Sequence, residues 1–322
     1  MNARSVWNSP FAWLVRRELW EHRLIVGGPG VLFGVIVLSA IIGLLNGHPI
    51  SMSGDVSGLD LGPIEAPARK LQILMIAIIC LVGALFLMLA SGVQIFYAAD
   101  TLHAERSQRT ILFWKSLPVS DLSTVLAKVV VAALVIPLVA LAAGLATTLV
   151  LSLLFTVEAY SLSNLLAAVW SPAVWWHATV ALLYLTLTAT VWFLPMTTWF
   201  LLVSAWLPLA RGRLGRSPML VAVVVPALVV VFEAVAFHSF TAGAYLTKRF
   251  GFAQYLSTAF ADARVTFNSA GDIDGRTIGS IASDVMSPLT FLGSPSTIIG
   301  VLVSALFIAG AVYSRRRSED RA

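Results

Sequence analysis

Chemistry needs reactive side chains at spacings that let them meet, and this sequence carries few such sets. It has no Gly-x4-Gly-Lys-Ser/Thr loop to cradle nucleotide phosphates, no His-Glu-x-x-His zinc pattern and no Gly-x-Ser-x-Gly nucleophile turn. The basic stretch Arg211–Ser217 lacks both the lysine and the glycine spacing of a phosphate loop. Cys80 is the single cysteine; it lies in an apolar run, can form no intrachain disulfide and fits no metal spacing. Gly271-Asp272-Ile273-Asp274-Gly275 resembles a fragment of a calcium loop but lacks the closing glutamate, so it reads as a turn. The expectation is a chain that is not an enzyme, with no catalytic residue, metal or cofactor of its own. Three other sets stand out: a mixed charged and apolar stretch from Asp100 to Asp121, a lone Glu233 in an apolar run, and Trp192, Trp199 and Trp206 at seven-residue intervals.

The elements that must position these residues follow from composition. Of 322 residues, 58% are hydrophobic and 11% charged, with a mean hydropathy of +0.88. Soluble domains carry about 25% charged residues, so a water-facing surface cannot be built here and lipid must be the main solvent. A spanning helix needs about 20 mostly apolar residues. Six segments qualify: Val26–Leu45, Ile73–Ala98, Val129–Phe155, Ala178–Leu207, Met219–Phe237 and Thr297–Tyr313. The predicted fold class is all-α integral membrane, with six transmembrane helices.

Charge orients the spans. Of the 21 Lys and Arg residues, 15 fall in one set of alternate polar segments and six in the other. Lys and Arg favour the cytoplasmic side, so both termini are expected inside. The net charge of +5 is explained by these loops, and no nucleic acid is expected as a partner. The first apolar run is too long and too far in for a cleavable signal and lacks a small-x-small site.

Three regions follow: residues 1–24 as a cytoplasmic N terminus, 25–314 as the six-span domain, and 315–322 as a basic cytoplasmic tail. Within the first, Ser9 and Pro10 suit the start of a helix, and Phe11, Val15 and Leu19 make an apolar stripe among Arg16, Arg17 and Glu18. This reads as an interfacial helix at the cytoplasmic surface. The long last outer loop, 241–296, holds Phe252, Tyr255, Leu256, Ala259 and Phe260 at helical spacing. That face either lies on the outer leaflet or dips back among the spans as short re-entrant helices.

Inside the spans, ionisable groups are costly and are functional candidates. Glu233 either lines a pathway, makes an interspan polar contact or snorkels outward. Trp192 and Trp199 either line a route for an amphipathic substrate or pack and anchor the helix. Gln94 is expected to bond a neighbouring helix. Pro137, Pro195 and Pro226 favour kinks. Gly30-x3-Gly34 and Ala140-x3-Gly144-x3-Thr148 permit close helix contact.

The inner stretch after the second span is the most informative. Its first half, Asp100 to Arg109, is polar; its second holds Ile111, Leu112, Phe113, Trp114 and Leu117. So many apolar groups in a polar loop mark either an interaction surface or a segment skimming lipid. Pro118 stops a helix, and Ser120 with Asp121 starts the next. The pattern Asp100, Glu105-Arg106, Thr110, Leu112, Leu117-Pro118-Val119-Ser120 and Lys128 resembles the loop between spans two and three of ATP-binding-cassette (ABC) type-2 exporter permeases. The layout of an N-terminal interfacial helix, six spans, a long last outer loop and a basic tail is similar to that family's as well. Many members have Gly-Thr where this chain has Arg109-Thr110.

The resemblance implies a permease subunit whose Glu105, Arg106, Arg109, Leu112, Phe113, Trp114, Leu117, Pro118 and Ser120 couple to a cytosolic ABC ATPase subunit. That partner would bind ATP and Mg. The resemblance also implies a second permease protomer, identical or different, with span one as a contact surface. Membrane lipid is a further expected partner, and a bacterial inner membrane the expected location. A membrane-anchored sensor or immunity protein that binds a peptide without moving it is the alternative.

Overall fold

The computed structural model describes residues 10–46, 67–107, 120–158, 166–167, 169–207, 217–251, 255 and 288–317. Its helices are α1 (Pro10–Glu21), α2 (Leu24–Leu45), α3 (Pro67–Ser107), α4 (Asp121–Val130), α5 (Ile136–Glu158), α6 (Pro172–Trp206), α7 (Pro218–Phe237), α8 (Thr241–Phe250), α9 (Pro288–Gly293) and α10 (Pro295–Arg317). A five-residue π segment, Val131–Val135, joins α4 to α5. Six helices are long and apolar enough to cross a membrane, counting α4 to α5 as one, and every described element is helical. The six predicted spans are all present.

The helices run further than hydropathy alone places them. At 41 residues, α3 is about 60 Å long at 1.5 Å per residue, twice the roughly 30 Å of a hydrocarbon core. Apolar sequence ends near Ala98, yet the helix continues to Ser107, because Thr101, His103 and Glu105 are buried against other helices. α3 and α6 form the centre. α3 packs on α5 and α6, and α10 lies along α6. α3 and α5 approach closely at Gly144, where a Cβ would stand at van der Waals contact, 3.4 Å from the Gly83 Cα. Across α3, a Cβ at Gly83 would meet Leu182 of α6 at 2.5 Å. Gly30 and Gly34, by contrast, face open space. α2 and α7 are peripheral, burying only Ile25 and Pro29, and Pro218 and Ala222, respectively.

The prolines act differently from one another. Pro137 follows the π segment, in which the Ile136 amide donates to the Val131 carbonyl five residues back. Proline removes a backbone donor and crowds the preceding turn, and the wider turn absorbs both effects. Pro195 and Pro226 sit inside unbroken α6 and α7.

Candidate functional site

Most of the titratable groups that meet do so where α1, the end of α3, the start of α4 and the end of α10 come together. α1 enters through its charged face. Leu14, Arg17 and Glu18 are its buried residues, while Phe11 is exposed. The predicted Phe11–Val15–Leu19 stripe is thus not what docks the helix most deeply; Val15 and Leu19 pack at the edge of the α2–α3–α5 core. An ion network sets the seating instead. Arg16 turns outward, its guanidinium 4.7 Å over the Trp20 ring.

Glu18 is 1% exposed. Its Oε1 accepts from Lys128 Nζ at 2.9 Å and from Arg17 Nη2 at 2.7 Å. Its Oε2 accepts from the Tyr97 hydroxyl at 2.8 Å and from Thr101 Oγ1 at 3.4 Å. Lys128 Nζ also donates to Thr101 Oγ1 at 2.7 Å. Glu105 is the second hub. Arg17 Nη2 donates to its Oε1 at 2.9 Å, Lys128 Nζ lies 3.0 Å from the same oxygen, and Arg315 Nη1 donates to Oε2 at 2.7 Å. Arg315 Nε reaches on to Asp121 Oδ1 at 2.9 Å. Among the described residues, Arg17, Lys128 and Arg315 thus meet Glu18, Glu105 and Asp121 in a largely buried cluster drawn from four helices, and Glu21 adds a more exposed carboxylate 3.3 Å from Arg17 Nε.

Burial pushes the Glu18 carboxyl up, but the Lys128 ammonium and the Arg17 guanidinium outweigh it, and its pKa lies below the ordinary value. Burial also lowers the pKa of His22, whose Nε2 lies 3.7 Å from Glu18 Oε2. Glu18, Glu21 and His22 bring ligand-type atoms within 4.8 Å of one another. The Glu18 oxygens, however, are already taken by Lys128, Arg17 and Tyr97, so the chemistry of this cluster is ion pairing rather than metal ligation. Ion pairs of this kind fix geometry, because removing one member strands the others in a low-dielectric site.

Arg106 closes the neighbouring end of α6. Its Nη2 donates to the carbonyls of Ser204 at 2.6 Å and Leu207 at 2.9 Å, and Ser314 Oγ donates to the Ala205 carbonyl at 2.9 Å. The final carbonyls of a helix lack intrahelical donors, and here two other helices supply them. Ser120 caps α4 as expected, accepting from the Ser123 amide at 3.1 Å, with Asp121 in the first turn. The sequence places Glu105, Arg106 and Ser120 on a coupling surface. The structure turns Glu105 and Arg106 inward, onto the bundle. Arg109, Leu112, Phe113, Trp114, Leu117 and Pro118 lie outside the described residues.

The opposite half of the molecule holds a second arrangement. Glu233 accepts from the amides of Thr241 at 2.9 Å and Ala242 at 2.7 Å, from Ser239 Oγ at 3.0 Å and from the Thr241 hydroxyl. It is the carboxylate at the N-terminal end of α8. His238 makes the reversal between the helices in the left-handed region, at φ 49°. The three tryptophans of α6 meet three surroundings. Trp192 is buried against Tyr255 and Phe291, Trp199 Nε1 donates to the Ala222 carbonyl at 3.0 Å, and Trp206 is exposed. Gln94 Nε2 donates to Thr197 Oγ1 at 2.8 Å, the helix-to-helix bond expected of it.

Lys128 and Arg249 are the residues that sequence reasoning underrated. Both were counted as loop charges. Lys128 had a local signal, a single cation within Val125-Leu126-Ala127-Lys128-Val129-Val130. Arg249 had none. Compared with known family models, curated proteins and solved structures, the chain matches none.

Proposed function

We propose that this chain is the membrane-spanning permease subunit of an ABC exporter, driven by a separate cytosolic ATPase subunit and paired with a second permease protomer. Both termini face the cytoplasm of a bacterium whose inner membrane the six helices span. The outer loop 241–296, which holds α8, dips back into the outer half, and the inner loop 99–127, with residues 108–119 between α3 and α4, is the coupling element. One observation carries the reading: both flanks of that segment are held in a single buried ion network. Glu105 on the near side and Asp121 on the far side share Arg315. Arg17 and Lys128 tie the same carboxylate to α1 and α4. A push delivered between Ser107 and Ser120 would thus move α1, α3, α4 and α10 together instead of being lost in loose side chains. The apolar run Ile111 to Leu117 supplies the contact that would receive the push.

The test is purification of the tagged full chain from its own membrane in mild detergent. The expected outcome is a copurifying soluble subunit and ATP hydrolysis in the eluate. Phe113→Ala with Trp114→Ala should lower both about 10-fold, as loss of two aromatic anchors does at an interface. A chain that elutes without any ATP-hydrolysing subunit, or hydrolysis unaffected by the double substitution, overturns the exporter reading in favour of the peptide-binding alternative.

A further inference from the structure

Arg249, near the end of α8, is 5% exposed. Its guanidinium carbon lies over the Trp192 ring, 4.0 Å from the ring centroid. Gly300 of α10 makes room for it: a methyl group there would collide with Nη2, and Pro195 borders the same spot. The cation–π contact with Trp192 holds the charge. The edge, where hydrogen bonds are made, is another matter. Arg249 Nη1 and Nη2 are buried with no hydrogen-bond partner among the described residues, and so is Trp192 Nε1, the indole against which the guanidinium rests. All three are donors only. No carboxylate among the described residues pairs with Arg249, in contrast to the cations of the ion network. A buried guanidinium without an acceptor is costly; its fork of donors suits an oxyanion, and the indole beside it carries a further unmatched N–H.

The depth of this site points to what brings the oxyanion. Trp192 lies 14 residues from Trp206, about 21 Å along the helix, and Gly300 lies 17 residues from Arg317, about 25 Å. Counted from Leu207 and Tyr313, where the predicted spans end, Trp192 and Gly300 lie about 22 and 20 Å along their helices, past the midpoint of a core about 30 Å thick. Trp192 itself packs among aromatic side chains, Tyr255 and Phe291.

We propose that Arg249 and the indole N–H of Trp192 form a binding site for an oxyanion in the outer half of the protein, the phosphate of an anionic amphiphile. The site belongs to this chain alone and does not depend on the exporter reading.

The test uses the purified full chain in detergent, with phosphatidylglycerol or phosphatidylcholine added and bound lipid counted by native mass spectrometry. Wild type should retain phosphatidylglycerol about 10-fold better than phosphatidylcholine, the size expected of one charge-assisted contact. Arg249→Gln should abolish the preference and Arg249→Lys should keep part of it. Gly300→Ala, which displaces the guanidinium without removing charge, should weaken it. If Arg249→Gln fails to fold, the Lys and Gly300 variants still decide the matter. Thermal stabilisation of wild type but not Arg249→Gln by millimolar inorganic phosphate, without lipid preference, would retain the oxyanion site and assign it a free anion. Equal retention by wild type and all three variants with no phosphate effect overturns the proposal. So does loss of stability on replacing Asp262, Asp272, Asp274 and Asp284 by Asn that matches and does not add to that of Arg249→Gln, which would make one of those carboxylates the partner.

Discussion

Glu18 and Lys128 show how much a single residue can decide in this molecule. Each is nearly inaccessible, and each touches partners on two or more other helices. Glu18→Gln keeps shape and removes the carboxylate that both Lys128 and Arg17 contact. Breaking one member of a buried pair costs about 3–5 kcal/mol. A clear fall in the thermal unfolding temperature in detergent is expected, while Lys128→Met added to Glu18→Gln should cost less than the two separate losses combined. Acid should act in the same direction. Glu18 has a lowered folded pKa, so its contribution is complete above the unfolded value of about 4.3 and is lost as pH falls through the folded one. His22 also has a lowered folded pKa, so the folded state binds its proton less readily and stability declines as pH drops below about 6.5. A melting series from pH 8 to about 2.5 should show a shallow decline beginning at about 6.5 that His22→Gln removes, followed by a steeper one that sets in below about 4.3. A wild-type curve flat across that range would contradict the network's role.

Among the elements, legibility tracked the physical signal. The six spans were readable because lipid imposes a length and a composition that few other contexts tolerate, and the cap at Ser120 because it is set within four residues. The reach of α3 beyond Ala98 was not readable: its last turns are helical through partners 80 to 210 residues away, such as Glu18 and Arg315. α1 was readable as a helix, but the burial of Arg17 and Glu18 against other helices was not, because an apolar stripe advertises burial and an Arg-Glu pair does not. Glu233 illustrates the same limit. In sequence it is a charge stranded in span five; in the structure its carboxylate organises the start of α8 through Ser239, Thr241 and Ala242. Carboxylates at a helix N-terminus satisfy free amides and complement the dipole. Glu233→Ala should raise amide hydrogen exchange in Thr241–Phe250 selectively, leaving α3 and α6 unchanged. Glu233→Gln, which keeps an acceptor, should raise it less. Uniform exchange in α8 across both variants would remove the capping role.

For the whole molecule, the question is which end faces the cytoplasm, and charge and geometry bear on it separately. The ion network gathers the ends of α1, α3, α4 and α10 at one end of the bundle, and Arg106 adds the end of α6. The connections at that end, with the tail, carry most of the 15 Lys and Arg of the richer set. Excess Lys and Arg in short connections mark the side that does not cross during insertion, so the exporter reading predicts this end inside and Arg249, near the end of α8, in the outer half. The sequence makes a direct test simple, since Cys80→Ser alone removes every thiol. On that background, Leu214→Cys and Ala322→Cys should react with a membrane-impermeant maleimide only after cells are permeabilised. Ser57→Cys and Ser269→Cys should react in intact cells. The reverse pattern would put the ion network outside, where no cytosolic subunit could reach segment 108–119, and would defeat the exporter reading even if the six helices and every contact between them were unchanged.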